Sequence, residues 1–249
     1  MVSPSPARTM LRRTTNSPPP HLARLVDPRF AVVIPTLDEE AAIGGVVEGA
    51  LAAGATAVVV VDAGSRDRTV ERAKAAGASV VHEPRRGYGR ACKAGADAVS
   101  ADVIAFMDGD GSDDPAFLKA VVRPVLAGDA ALMLGVRTSR ADGALLAHQY
   151  AGTQFVVALL RIFHSVRVSD IPPMRAIRRD ALQTLQLREM TYGWPTEMIV
   201  RAARVGLAIG EVPVVARARI GGASKIAGRA WPSVVAGGLM IRVAVRTLR

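Results

Sequence analysis

Short apolar runs alternate with helix-like segments along most of this chain, and that order constrains the fold more than any other feature. The apolar runs lie at 30–34, 57–61, 79–82, 103–107, 131–136 and 208–215. Segments with helical character lie at 39–53, 67–76, 90–99, 115–126, 144–163 and 196–205. Because strands that alternate with helices build a mostly parallel sheet covered on both faces, we predict an α/β fold of the Rossmann-like type.

Acidic residues follow two of these strands directly. Asp62 ends the second apolar run, and Asp108-Gly-Asp110 follows the run at 103–107. An open α/β sheet binds its ligands at the carboxyl ends of its strands. Carboxylate oxygens suit Mg2+ or Mn2+, and such ions bind diphosphates. The pattern indicates a metal-dependent enzyme that acts on a nucleotide, although Asp-Gly-Asp alone is equally compatible with a solvated turn.

The net charge of +10 lies at the two ends of the chain rather than in its body. Residues 1–30 carry five Arg and one Asp, residues 216–249 carry seven Lys or Arg and no acid, and the middle has a net charge of −1. The body therefore shows no nucleic-acid signal. Residues 1–28 are rich in Ser, Pro and Arg without a secretory apolar block, which predicts a disordered basic tail and a cytoplasmic protein. Cys92 is the single cysteine, so no internal disulfide can form.

Residues 229–249 predict an amphipathic helix with a basic face. Two interpretations stay open: peripheral contact with the inner face of the plasma membrane, or packing against the body. The unbroken apolar stretch at 234–241 is too short to cross a bilayer, which needs about 20 residues. The basic face carries Arg242, Arg246 and Arg249, and the apolar face carries Val235, Leu239 and Val243.

Together, these motifs resemble the ordered signature of the family 2 glycosyltransferases with the GT-A fold, closest to the dolichyl- or polyprenyl-phosphate sugar transferase branch. The resemblance covers residues 30–228, so we expect a GT-A domain at 29–228. The motifs are VIPTLDE at 33–39, VVVD at 59–62 with GS at 64–65, RGYG at 86–89, MDGDGSDDP at 107–115, MR at 174–175, YGWPTEM at 192–198 and GGASK at 221–225. Two positions depart from the usual pattern: Ala63 replaces an acid, and Asp38 stands where Asn is usual.

The resemblance implies a role for each matching position. The nucleotide sugar, UDP- or GDP-linked, would lie by Pro35, Glu39, Asp62, Gly87 and Asp108. Asp108 and Asp110 would hold the Mg2+ or Mn2+ ion, and Glu197 stands where inverting members carry their catalytic acid. The phosphate of the donor, or of a lipid-phosphate or other small acceptor, would face Arg137, Arg175 and Lys225.

The reaction that follows is metal-dependent transfer of a hexose, with inversion. A sugar hydroxyl acceptor would need a base, for which Glu197 is predicted with Asp170 behind it, whereas a phosphate acceptor is already an anion. Two alternatives remain. A nucleotidyltransferase usually carries a basic Gly-rich loop after its first strand, and the loop here is acidic. A non-enzymatic membrane- or nucleic-acid-binding protein would not explain Asp62, Asp108 and Asp110, which repel phosphate.

Overall fold

The computed structural model describes residues 29–140, 147–220, 238 and 240–242. The predicted tail at 1–28, Lys225 and most of the predicted helix at 229–249 lie outside the described residues. The strands are β1 (Phe30–Thr36), β2 (Ala57–Asp62), β3 (Ser79–His82), β4 (Val103–Phe106), β5 (Leu132–Arg140), β6 (Arg175–Arg178) and β7 (Ile209–Ala216). The helices are α1 (Ile43–Ala52), α2 (Thr69–Ala75), α3 (Tyr88–Ala98), α4 (Leu118–Ala127), α5 (Ala147–His164), α6 (Arg179–Leu185) and α7 (Trp194–Arg204).

The seven strands form one sheet in the order β3-β2-β1-β4-β6-β5-β7. Strand β6 runs antiparallel to both of its neighbours, and every other pairing is parallel. The predicted α/β class with a mostly parallel sheet is therefore confirmed. Because β6 lies between β4 and β5 and opposes both, those two strands run the same way, and the carboxyl ends of β1, β2, β4, β5 and β7 share one edge.

Alternating residues of the strands pack into two apolar layers, one on each face of the sheet. Val33 and Val61 belong to the layer covered by α3, α5 and α7, whereas Ile34 and Val60 belong to the layer covered by α1 and α4. Side chains of a strand alternate between faces, so runs such as 57–61 must be apolar throughout when helices cover both faces.

Two elements were missed by the sequence prediction. Strand β6 has only four residues and an arginine at each end, and α6 follows it without a break. Strand β1 is also longer than predicted, because it includes Pro35 and Thr36. Pro35 is tolerated there since the pairing of β1 with β4 ends at Val33, so no neighbour on that side needs the missing N–H.

The described part of the predicted terminal helix contacts the body. Residues 238 and 240–242 are helical, and Met240 and Ile241 pack partly buried against the layer that contains α5 and α7. Arg242 lies 3.4 Å from the carboxylate of Glu189. Within the part of the chain that the structure describes, no helix has both the length and the apolarity that crossing a membrane requires.

Candidate active site

The ends of β1, β2 and β4 bring the predicted acids to one place, which we call the carboxylate edge: Glu39, Asp62, Asp108 and Asp110. Thr36 at the end of β1 pairs with Asp62 at the end of β2, and β4 lies on the other side of β1. Asp62 and Asp108 are therefore separated by a single strand, or about 10 Å at the usual strand spacing. Pro35 lies between them at the end of β1.

Asp62 is held by the turn that follows β2. Its carboxylate accepts hydrogen bonds from the backbone N–H groups of Gly64 at 3.2 Å and Ser65 at 3.1 Å. Gly64 has φ +93°, a conformation that favours glycine, so the Gly-Ser sequence is what lets the chain fold back onto Asp62. The Asp62 side chain is consequently fixed and almost fully buried at the sheet edge.

The Asp-Gly-Asp turn after β4 packs several carboxylates together. The carboxylate of Asp113 accepts the N–H of Asp108 at 2.9 Å, and that of Asp110 accepts the N–H of Ser112 at 2.8 Å. Burial, followed by the neighbouring charges of Asp110 and Asp113, raises the pKa of Asp108 well above its usual range. Burial also raises the pKa of Asp113 to about 6. This excess of buried negative charge calls for a cation.

Oxygen-only ligands of this kind fit a hard divalent ion. Asp108 and Asp110 would supply two ligands, which matches the way Mg2+ is held by one or two carboxylates together with substrate phosphates. Among the described residues no group of three or more His, Cys, Asp or Glu is arranged as a metal cage. A site of this composition suits an ion that binds together with a diphosphate.

Arg219, a residue that the sequence prediction did not single out, supplies the cation in this structure. Its guanidinium lies 2.7 Å from the Asp110 carboxylate and 3.1 Å from that of Glu39. The only signal in the sequence was the basic stretch after β7, where Arg217 and Arg219 precede Lys225. Because β7 ends at the same edge as β4, this stretch lies close to the acids, but the pairing of Arg219 depends on tertiary packing rather than on a local pattern.

The predicted phosphate ligand Arg137 lies next to this turn, in an ion pair. Its guanidinium makes two hydrogen bonds of 2.7 Å to the carboxylate of Asp170, and both side chains are largely buried. The Arg137 charge also interacts with Asp113 and Asp108, which helps to raise its pKa. Arg137 is thus at the carboxylate edge, but Asp170 engages its guanidinium.

Arg175 does not present its guanidinium to solvent at this edge. The residue has no exposed surface and its guanidinium packs 5.0 to 5.8 Å from the ring centres of Phe106, Trp194 and Tyr88. Its N–H groups donate to the carbonyls of Pro172 and Pro173. Arg175 still contributes positive charge that opposes the pKa rise of Asp108. The structure therefore places it beneath the site.

Glu197 is also enclosed by protein, near the start of α7. One carboxylate oxygen accepts the N–H groups of Arg188 and Glu189 at 2.8 and 2.7 Å, and the other accepts Arg201 at 2.7 Å. The residue is 4% exposed. The carboxylate thus holds the segment that precedes α7.

Gly87 and Gly89 let α3 approach the segment before α7. Gly87 has φ +145°, and a Cβ there would lie 2.3 Å from the carbonyl oxygen of Met190. A Cβ on Gly89 would lie 2.6 Å from the Glu189 carbonyl oxygen. The N–H groups of Gly89 and Arg90 donate to the carbonyls of Thr191 and Met190, so these two N–H groups serve packing.

A mostly parallel sheet with an Asp-x-Asp pair at the tip of its central strand is the architecture of the GT-A glycosyltransferases. The model of glycosyl transferase family 2 matches residues 31–186, and the chain belongs to this family. The nucleotidyltransferase and the non-enzymatic alternatives are thereby set aside.

Relatives and solved structures agree with this assignment. The chain is 39% identical to an uncharacterized glycosyltransferase of Mycobacterium tuberculosis over 82% of this chain and 93% of the relative. It is 32% identical to a dolichyl-phosphate hexose transferase of Haloferax volcanii, over 77% of this chain and 84% of the relative. It also resembles the glucosyl-3-phosphoglycerate synthase of M. tuberculosis that was solved with Mn2+, UDP-glucose and glycerol 3-phosphate. The TM-score is 0.71 and the identity is 25%, and the match covers 88% of this chain and 79% of that one.

Proposed function

We propose that this glycosyltransferase moves a hexose from a UDP-linked donor, with Mn2+ or Mg2+, onto the phosphate group of an acceptor. The donor assignment is supported by the similar synthase, which was crystallised with Mn2+ and UDP-glucose. Transfer onto a phosphate is supported by the dolichyl-phosphate hexose transferase among the relatives. The glycerol 3-phosphate in the synthase structure supports an acceptor that carries a phosphate, because that molecule also has hydroxyl groups.

The observation that carries the acceptor class is the state of the two acids predicted to act as a base. One Glu197 oxygen accepts the N–H groups of Arg188 and Glu189, and the other accepts Arg201. The Asp170 carboxylate is paired with Arg137. A sugar hydroxyl needs a base that can take its proton, whereas a phosphate oxygen is already negatively charged. A phosphate acceptor can therefore react without either Glu197 or Asp170 giving up its present hydrogen-bond partners.

The residues of the carboxylate edge then divide the work on the donor. Asp62 faces the base, with Pro35 and Glu39 beside the nucleotide and Gly87 shaping the neighbouring loop. Asp108 and Asp110 hold the divalent ion, which when bound would stabilise the negative charge of the departing diphosphate. Arg137 orients the acceptor phosphate, with Lys225 as a second cation. Arg175 and Glu197 act as positioning residues, because both side chains are enclosed by protein and do not reach the surface of the site.

The transfer is a single displacement with inversion. An oxygen of the acceptor phosphate attacks the anomeric carbon, the bond from that carbon to the donor diphosphate breaks, and the electron pair leaves with the nucleoside diphosphate. No proton has to be removed from the acceptor, because the attacking oxygen carries the charge.

The test is a donor and acceptor panel analysed by mass spectrometry. UDP- and GDP-hexoses are incubated with Mn2+ and with a polyprenyl phosphate, 3-phosphoglycerate or a neutral sugar acceptor, with EDTA in parallel. We expect a hexosyl phosphodiester from one phosphate acceptor and a UDP-hexose, abolished by EDTA. Transfer to a hydroxyl group alone, either of the neutral sugar or of 3-phosphoglycerate, would contradict the acceptor class, and transfer from GDP-hexoses alone would contradict the donor.

A further inference from the structure

Helix α5 exposes large apolar side chains on the face that points away from the sheet. Phe155 is 55% exposed, Ile162 is 71% exposed and Phe163 is 45% exposed, whereas Val156 and Leu160 are buried in the core. Positions 155, 162 and 163 are separated by seven and eight residues, which places them on one side of an α-helix. The exposed apolar surface is therefore continuous along the helix axis and is not needed for the core.

Cations without acidic partners border this surface. Arg161 and Arg167 are both exposed, and neither forms an ion pair within the described part of the chain. They line a cavity of about 630 Å³ between α5 and residues 167–170, together with Arg137. Among the described residues that line the cavity, Asp170 is the one acid and is engaged by Arg137, and the sequence of α5 contains no Asp or Glu.

We infer that Phe155, Ile162, Phe163, Arg161 and Arg167 form a docking face for an anionic bilayer. Apolar side chains on a surface helix bury themselves at the boundary between headgroups and acyl chains, and flanking arginines pair with anionic headgroups. A second copy of this chain is a poorer occupant. A two-fold interface would join two copies of the same positive patch, without acids in the patch to pair with it.

The docking face would also bring the cavity to the level of the lipid headgroups. Arg137 lines this cavity, and its charge interacts with Asp113 and Asp108 in the turn after β4. A lipid phosphate could thus approach the carboxylate edge from the membrane side. Only this consequence rests on the proposed function; the docking face itself depends on α5 and Arg167 alone.

Vesicle co-sedimentation tests the inference without any sugar chemistry. The full chain is expected to bind vesicles of phosphatidylglycerol and phosphatidylcholine more tightly than phosphatidylcholine alone. Combining Phe155→Ser, Ile162→Ser and Phe163→Ser should weaken binding at least about tenfold. Combining Arg161→Gln and Arg167→Gln should weaken binding to the anionic vesicles by about tenfold to thirtyfold and leave neutral vesicles unaffected. The matched control is Leu51→Ser with Arg123→Gln, two exposed residues on the opposite face of the sheet.

Two further measurements keep the result interpretable if a variant is poorly folded. An environment-sensitive fluorophore on Ile162→Cys should shift to the blue with anionic vesicles, whereas the same label on Leu51→Cys should not. A chain that ends at Arg242, which lacks Arg246 and Arg249, should keep most of its binding. Unchanged vesicle binding in the α5 variants, no shift at position 162, or a dimer that only the α5 variants dissociate would overturn the inference.

A separate observation concerns the segment after β7, which lies across the metal-binding turn. The N–H of Arg217 donates to the Ser112 carbonyl, the N–H of Ile220 donates to the Asp110 carbonyl, and both distances are 2.9 Å. This attachment places the Arg219 guanidinium on the Asp110 carboxylate. The second Asp110 oxygen is already bound by the N–H of Ser112.

We propose that Arg219 is an exchangeable counter-ion that a divalent metal must displace. Asp110 can coordinate an ion through the oxygen now facing Arg219 only if the guanidinium moves, because two cations cannot share that oxygen at close range. The guanidinium lowers the repulsion between Glu39 and Asp110, because it contacts both carboxylates. Metal binding therefore loosens the contact of the segment at 216–220 with the turn.

Titration with Mn2+ alone tests this exchange, with the free ion measured by electron paramagnetic resonance at each step. Arg219→Gln removes the competitor, so the affinity for Mn2+ should rise by about fivefold to tenfold. Arg219→Lys should stay near the wild-type value. Arg217→Gln is the control, because Arg217 pairs with Asp114 rather than with Asp110. Weaker Mn2+ binding by Arg219→Gln, with an unchanged melting temperature, would show that Arg219 supports the metal instead of competing with it.

Discussion

The two sides of the active site, which we propose to bind the donor and the acceptor, are built in different ways. On the donor side, Asp62, Asp110 and Asp113 are fixed by backbone N–H groups two to five residues away. On the acceptor side, Arg137 is fixed by Asp170, which is 33 residues away and follows helix α5. The donor side is thus an assembly of strand-end turns, whereas the acceptor side depends on tertiary packing.

The largest expected effect breaks the donor side alone. Asp110→Asn removes a charged metal ligand but leaves an oxygen that can accept the Ser112 N–H, so the turn should survive. We expect the transfer rate to fall by about 10³-fold, because the charge of the leaving diphosphate loses its stabilisation. Steady-state transfer assays measure this loss. Asp129→Asn, at an exposed acid after α4, is the control, and an equal loss there would argue against a specific role for Asp110.

A change at Arg137 tests the acceptor side. Arg137→Gln should lower kcat/KM for the acceptor by about 100-fold and leave hydrolysis of the donor by water unchanged. The single variant also leaves Asp170 buried without its partner, which should lower stability by about 3 kcal/mol. Adding Asp170→Asn should restore most of the stability but not the acceptor kinetics. If the double variant recovered both, Arg137 would serve the fold rather than the acceptor.

Gly87 sets how closely the start of α3 approaches the segment before α7. Gly87→Ala must place a Cβ 2.3 Å from the Met190 carbonyl oxygen at a φ of +145°, so it should destabilise the protein by about 3 kcal/mol. Thermal unfolding gives the comparison. Gly128→Ala should lower the free energy of unfolding by only about 1 kcal/mol, because its φ is +85° but an added Cβ would meet none of the surrounding atoms within 4 Å. Equal costs would mean that the close approach of α3 to the segment before α7 is not constrained.

Glu197 offers a smaller test, because its carboxylate holds the segment that precedes α7. Glu197→Gln weakens bonds to the N–H groups of Arg188 and Glu189 and to Arg201, and it should lower stability by about 2 kcal/mol. As a positioning residue, it should change kcat by less than about tenfold. A loss of 100-fold or more in kcat, with the acidic limb of the pH profile also changed, would instead identify Glu197 as the base.

The smallest expected effect concerns the reactivity of the Cys92 thiol, which is buried beside Arg175. Burial raises the pKa of the Cys92 thiol to about 12, although Arg175 opposes the shift. The thiol should therefore stay protonated between pH 7 and 9 and react with a thiol reagent only when the protein unfolds. Any stability that this group contributes is present below about pH 9 and is lost as the pH rises toward 12. Fast labelling of the native protein at pH 8 would show that the core around Arg175 opens.

The same division explains what could be predicted from the sequence. The α/β fold and the acids of the donor side could be predicted, because apolar periodicity and turn residues are visible within short stretches of the sequence. Strand β6, Arg219 and the burial of Arg175 could not be. A four-residue strand with arginine at both ends shows no apolar run, and a strand inserted antiparallel between β4 and β5 is specified by its neighbours. Arg219 meets Glu39 across 180 residues, a contact that no local pattern encodes.

The central claim is that Asp108 and Asp110 bind a divalent ion together with a nucleoside diphosphate. Calorimetric titration with UDP, in the presence and absence of Mn2+, tests it most directly. Binding should be at least about tenfold tighter with Mn2+, and that gain should disappear in Asp110→Asn while the weak binding without metal is retained. Equal UDP affinity with and without Mn2+, or an undiminished gain in Asp110→Asn, would contradict the claim.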